Sequence, residues 1–450
     1  MTTVQTASDK RFYVEQFEGL ERELAGSDPA AVRHLRLAAI ARFDQIGFPT
    51  SRNEDWRFTS VADLLKVPFH PAPRLEDSAI NEEDLEPFSF GEATRLVFVN
   101  GRLIERLSRT SPLGPGVVLG GLADALVREP ELLTDSLGRI ADYKDQAFTA
   151  LNSAFFRDGA VLVIPDGVAV EQPIHLLHVA LGGATPWVSY PRSLIVLGRG
   201  SRASVIESWV GLPLQNGQEP TFTAAVTEVL LAAEAVLDHV RVQRENRQAF
   251  HFSNLATSLG ASARFTTHLV SLGGGWVRNE SRVRFGGQNA EATVNGLYFG
   301  RGTQHVDNHT VIDHALPHCA SHELYKGILD GRARGVFNGK IFVRQDAQKT
   351  DAKQTNQTLL LSDDAVINTK PQLEIFADDV KCTHGATVGN LNEDALFYLR
   401  SRGLDVTEAR ALLTYAFAND ILNRIAIEPV RERLEALLLS RSGPLQEAQS

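Results

Sequence analysis

The stretch RFTTHLVSLGGG, residues 264–275, sets β-branched, aromatic and aliphatic residues against three consecutive glycines. Runs of this kind, closed by Gly, Asp or Asn, read as short strands ending in tight corners. The same texture recurs on both sides. Upstream lie AVLVIPDG (160–167), SLIVLGRG (193–200), RASVIESWVG (202–211) and AVTEVLLAAEA (225–235); downstream lie ATVNGLYFG (292–300), GVFNGKIFV (335–343), AVINTK (365–370) and QLEIFADD (372–379). No helix start signal interrupts residues 159 to 390. That is too much strand for a simple sandwich, and it lacks the alternation with helices that α/β folds require. Many short strands with small-residue corners point instead to a mainly β chain whose centre is a β-solenoid of stacked coils. No strict hexapeptide or nonapeptide period accompanies it.

The flanks differ. Residues 8 to about 66 are rich in helix formers at helical spacing, as in RELAGSDPAAVRHLRLAAIARFDQIGF, and close on the polar turn PTSRNEDWRFTS. A Pro- and acid-rich linker follows. Then TRLVFVNGRLIERL reads as a hairpin turning at Asn100-Gly101. After 390 helices return: Asn392 is an N-cap candidate, Asp405 with Glu408 forms a capping-box pattern, and Ala409, Leu412, Leu413, Ala416, Phe417, Ile421 and Ile425 share one expected apolar face. The expected organisation is an N-terminal helical domain (1–70), a linker and mixed α/β segment (71–158), the solenoid core (159–391) and a C-terminal helical domain (392–450).

The 450 residues carry a net charge of −10 and no basic arm, so nothing here fits nucleic acid or an anionic membrane. The first residues lack the apolar segment of a signal peptide, and no stretch reaches the roughly 20 apolar residues of a membrane helix. Two cysteines 63 positions apart indicate no disulfide framework. The reading is a soluble, cytoplasmic protein with free thiols.

Chemistry-bearing residues gather late in the chain. In DDVKCTHGATVG (378–389), strand alternation puts Val380, Cys382, His384, Ala386 and Val388 on one side. Cys382 and His384 are then roughly 7 Å apart along the strand, too far for a hydrogen bond but suited to ligands of one ion or cluster. A buried, packing cysteine is the competing reading. HVDNHTVIDHALPHCASHE (305–323) holds five histidines and Cys319. Its donors suit transition metals, yet the spacing of known zinc motifs is missing, which favours solvated or internally satisfied histidines. Asp363-Asp364 and Asp378-Asp379 could supply the acid and base of a polysaccharide hydrolase, but at strand ends aspartates also close turns. GVFNGKI (335–341) has the wrong spacing for a phosphate loop, so no nucleotide site is expected.

SRNEDWRFTS, the long string from DNHTVIDHALPHCASHE through VKCTHGATVG, and LFYLRSRGL together resemble the SufD branch of the SufB/SufD family of iron–sulfur cluster assembly proteins. The likeness spans most of the chain and is strongest from 305 to 404. It implies a right-handed parallel β-helix between two helical domains, a heterodimer with SufB through the β-helices, and a C-terminal domain that docks the ABC-type ATPase SufC. Phe397, Tyr398, Arg400, Leu413, Tyr415 and Phe417 are the candidate docking residues. A homodimer is implied for the isolated chain. SufB-like chains carry EHEATTS where this one has CTHGATVG, and a sulfur-accepting cysteine 28 positions before that histidine, where Asn356 stands here; this favours the SufD branch. By the same likeness His384 is a candidate ligand for a transient iron or iron–sulfur cluster shared with SufB, and Cys382 a weaker one. The expected role is a non-catalytic scaffold. The alternatives are a β-helix carbohydrate-active enzyme using the aspartate pairs, or a purely structural mate of SufB.

Overall fold

The computed structural model describes residues 10–442 apart from positions 25, 27, 75–79, 92, 135 and 213–218. The signal-peptide reading of the first nine positions and part of the acid-rich linker lie outside the described residues. Two sheets, of eleven and ten strands, face each other across a lumen. Successive strands alternate between them, so each of about eight coils gives one strand to each sheet. Between 160 and 389 neighbours within a sheet are parallel, and residues paired across them lie 26 to 34 positions apart. This is the β-solenoid read from the sequence.

Alternate residues of each strand point into the lumen, where Leu255, Phe265, Val283, Phe285, Val294 and Ile312 form a continuous core. The other set faces helices. Tyr13, Phe17, Phe43 and Phe148, from helices Lys10–Glu23, Ala30–Ile46 and Ala147–Phe155, pack on Phe222, Phe252 and Trp276 of the eleven-stranded sheet. Ile421, Leu422, Val430 and Leu434, from helices Val406–Leu422 and Glu428–Ser442, pack on Ile206, Val240, Val242 and Leu297 of the ten-stranded sheet. Burial on both faces is why these strands read as unbroken apolar runs rather than as clean alternation.

One corner repeats through six coils. Gly200, Glu234, Ser262, Asn289, His318 and Lys349 all have φ between 57° and 65°. Each donates its backbone N–H to the next coil, through the carbonyls of Ala233, Ala261, Gln288, Pro317, Gln348 and Asp379. The residue after each is small and buried: Ser201, Ala235, Ala263, Ala290, Cys319 and Thr350. Cys319 is thus a corner filler, its Sγ donating to Gly287 O at 3.3 Å.

The two ends of the solenoid differ. At the first coil each sheet closes on a short antiparallel strand, Arg102–Leu103 on one and Val118–Gly121 on the other. The former is the Asn100-Gly101 hairpin, with both φ values positive (47° and 77°). Its long arm, Thr94–Val99, also pairs in parallel with Ile174–Ala180, so the ladder recruits a strand upstream of the span read as the core. At the last coil no strand among the described residues closes the sheets in a comparable way.

Buried charge fixes the segment before the core. Arg192 and Glu228, both fully buried, pair at 2.6 Å, and the carboxylate also accepts the N–H groups of Gly138, Ile140 and Ala141. In the C-terminal helices, Asn392 caps through Ala395 N, and Asp405 and Glu408 form the expected capping box. The expected apolar face needs correction, however. Leu412 and Ala416 point outward, while Thr414, Ala418 and Leu422 are buried, because the helix meets the sheet along a stripe rotated from the one Leu412 would mark.

An L-residue in the left-handed region costs about 1 kcal/mol that glycine avoids. Glu234→Gly, at an exposed corner, is therefore expected to raise unfolding free energy by about 0.5–1 kcal/mol in urea titration.

Burial lowers the pKa of His175 to about 3 and of His178, His268 and His314 to about 4. The unfolded chain takes these protons near pH 6.5, so their stabilisation is complete above that pH and lost as pH falls toward 4. Glu323, pushed up to about 7 by burial, acts in the opposite sense and offsets one of the four. Net stability is expected to fall as pH drops from 6 to 5, measured as the shift in urea midpoint.

Candidate functional site

Cys382 and His384 lie on Lys381–Gly389, the strand that ends the ten-stranded sheet. One edge pairs with Asp351–Leu360; the other has no strand partner among the described residues. Register places Cys382 against Ala352 and His384 against Gln354, both on the inward-facing set. The solenoid stops here, so facing inward no longer means being buried. His384 is exposed, and Val366, Ile375, Phe376 and Val388 of the same coil are 39–61% exposed. Cys382, half-buried, packs against the end of the core, and burial pushes its thiol pKa up, which disfavours the thiolate a metal would need.

Beneath His384, one coil at a time, the same inward column holds Gln354, Glu323, Val294, Thr267 and His239. Gln354 Nε2 donates to Glu323 Oε2 at 2.7 Å. Its amide occupies space left by Gly339 opposite, where a Cβ would sit 2.3 Å from that nitrogen. Burial is what raises the Glu323 pKa, with Thr310 and Gln354 only partly opposing it. Sequence reading passed over Glu323 and Gln354 because their tie to His384 is a spacing of 31 and then 30 positions. Aligning the coil corners would have found it.

The histidine-rich segment disperses over three surfaces. His314 faces the lumen, stacked on Phe285 and bonded to Ser321. His322 is exposed on the outer face of the ten-stranded sheet, and His318 occupies a corner. His305 and His309 sit on the outer face of the eleven-stranded sheet, where they belong to an anchor. There the fully buried Arg278 guanidinium binds Glu280 at 2.9 Å, Asp307 at 2.6 Å and the carbonyl of Asp55, and lies 3.8 Å over the Trp56 ring. Thr59 donates to Asp307, and Arg278 and His309 hold the Asp307 carboxyl well below the ordinary carboxylate range against a strong burial penalty. The strings NEDWRFTS and HVDNH are the two halves of this clasp, which pins the N-terminal segment to the solenoid. Among the described residues no group of three or more His, Cys, Asp or Glu could hold a metal ion.

Asp363-Asp364 and Asp378-Asp379 stand at opposite corners of the last coil, roughly 30 Å apart along its strand, beyond the span an acid and base must flank. Asp378 accepts from Gln348 Nε2, and Asp379 pairs with Lys349. Both are corner contacts. GVFNGKI lies within strand Arg334–Val343.

Comparison with known proteins bears on this geometry. The family model described as the SUF system FeS cluster assembly SufBD core domain matches residues 180–417, and that of the SufBD protein N-terminal region matches residues 7–176. The chain belongs to the SufBD family. Membership gives it a role in iron–sulfur cluster assembly. It is 34% identical over 447 residues to an iron-sulfur cluster assembly SufBD family protein of Synechocystis, covering 97% of this chain and 96% of that one. It is 32% identical over 434 residues to the iron-sulfur cluster assembly protein SufD of Escherichia coli, covering 94% of each. The SufD of Bacillus subtilis is 25% identical over 444 residues, covering 97% of this chain and 99% of the relative.

Within this SufBD chain the six candidate docking residues do not share a surface. Phe397 (74% exposed), Tyr398 (57%) and Arg400 are exposed on helix Glu393–Ser401, with the Arg402 guanidinium 5.2 Å over the Tyr398 ring. Leu413 and Phe417 pack toward the sheet, and Lys326 lies 4.6 Å over the Phe417 ring while pairing with Asp420. Tyr415 is half-buried. No described helix is long and apolar enough to cross a membrane.

Removing one partner of a buried charge cluster strands the others. Arg278→Met is expected to cost about 3–5 kcal/mol in urea unfolding and to expose the Trp56 region to proteolysis.

Proposed function

We propose that this chain is a scaffold subunit for cluster assembly. It pairs through its open last coil with SufB, presents SufC with its C-terminal helices, and offers His384 as a ligand for iron or a nascent cluster in the seam between the two solenoids. The observation that carries this reading is the open last coil: a strand edge with no strand partner among the described residues, exposed apolar side chains at Val366, Ile375, Phe376 and Val388, and an exposed imidazole on the same coil. Such an edge is a template for another strand, and stable proteins cover it. A partner of the same architecture would continue both sheets and bury Val366, Ile375, Phe376 and Val388.

Imidazole is a borderline ligand that suits ferrous iron, and one exposed histidine leaves the remaining positions of the cargo to the partner. Cys382 is the poorer candidate, since it is half-buried and its thiol is held protonated. The absence of a phosphate-loop spacing supports assigning ATP hydrolysis to SufC. Helices that pack across several coils of the ten-stranded sheet are suited to pass SufC closure to the seam.

In this reading His384→Ala co-purifies with SufB and SufC but supports less than a tenth of the wild-type cluster yield, followed by visible absorbance. Wild-type yield from that complex removes His384 from the site. Phe397→Asp is expected to retain SufB and lose SufC in the same pull-down. Retention of SufC would move the docking surface elsewhere.

A further inference from the structure

The lumen behind His384 is chemically unfinished. Glu323, Gln354 and Thr310 are all at least 95% buried, and Glu323 Oε1, Gln354 Oε1 and Thr310 Oγ1 have no hydrogen-bond partner. Buried acceptors in this condition are uncommon in native structures and call for an account. The three belong together. Gln354 donates its amide to the other carboxylate oxygen of Glu323, which leaves its own carbonyl oxygen free, and the Thr310 hydroxyl faces the same carboxyl from the opposite sheet, close enough to oppose the rise of its pKa. Among the described residues no buried arginine or lysine pairs with Glu323, in contrast to Glu228 and Glu280; the fully buried Arg241 lies three coils further in. Phe337 and Tyr325, packed with ring centroids 5.0 Å apart, wall the site on its inner side.

A carboxylate, an amide carbonyl and a hydroxyl, all offering oxygen, form a donor set for a hard or borderline divalent cation. We infer that the last coils bind a ferrous-type divalent ion on Glu323, Gln354 and Thr310, one coil beneath His384. The ion would supply the positive charge that the carboxylate lacks and satisfy all three oxygens at once. Adjacent coils are about 4.8 Å apart, so Gln354 stands one step and Glu323 two steps from the imidazole. The site is therefore a holding position from which iron passes outward to the seam.

The passage to the seam rests on the scaffold reading above; the binding site itself does not, and the test separates them. The full chain alone, anaerobic and at pH 7.5, is titrated with Mn2+ as a paramagnetic stand-in, and free ion is followed by its electron paramagnetic resonance signal. One saturable site is expected. Glu323→Gln, isosteric and uncharged, should weaken it at least tenfold, and Gln354→Met several-fold, while His384→Ala stays within about twofold of wild type. Circular dichroism and urea midpoints establish that each variant is folded. A wild-type chain without saturable binding overturns the inference, as does unchanged binding in Glu323→Gln or complete loss in His384→Ala. Loss of cluster yield in the His384→Ala complex, combined with no Mn2+ site in the wild-type chain, would leave the scaffold reading standing and remove only the lumen site.

Discussion

Everything in this structure depends on the in-register parallel ladder. In a solenoid every backbone donor and acceptor along a strand is satisfied by the coil before and the coil after, so no coil is complete alone. Interior coils obtain both neighbours from the chain itself. The first coil obtains closure from two short antiparallel strands, one on each sheet. Among the described residues the last coil has a single neighbour, which leaves one strand edge open on each sheet.

The ladder also dictates how the rest of the chain is attached. With strands apolar on both faces, each sheet needs an outer cover, and the N-terminal and C-terminal helices take one sheet each. Hydrophobic contact alone is non-directional. Register of the cover comes from buried charge: Arg192 with Glu228 beneath the segment 138–141, and Arg278 with Glu280 and Asp307 beneath Trp56. Such clusters recover little net energy after desolvation, but a mismatched arrangement would strand a charge, so they select one docking geometry.

How much of this was legible beforehand depended on range. Features set within four residues of one another were readable: the Asn100-Gly101 turn, the Asn392 cap and the Asp405–Glu408 box rest on local backbone chemistry. The solenoid was legible as texture, because β-branched runs and corners repeat even without a strict period. Its columns were not. Coil length varies from 26 to 34 residues, and the left-handed corner is filled by Gly, Glu, Ser, Asn, His and Lys in turn, so no residue type marks the repeat. His384 could be singled out from its neighbours in sequence, whereas Glu323 and Gln354 become its neighbours only after the chain has wound twice. The stripe through Leu412 failed for a related reason: periodicity finds an amphipathic face, but the contact surface is chosen by the sheet beneath it.

The left-handed corner has a further consequence for the length of the molecule. Each coil presents the same N–H and the same carbonyl at that position, whatever side chain occupies it, so any coil is interchangeable with its neighbours as far as the corner is concerned. Insertion or deletion of one whole winding would preserve the hydrogen-bond grid and displace the terminal imidazole by a single fixed increment, about 4.8 Å. The rod is thus quantised, and its dimension along the axis can change only in whole steps.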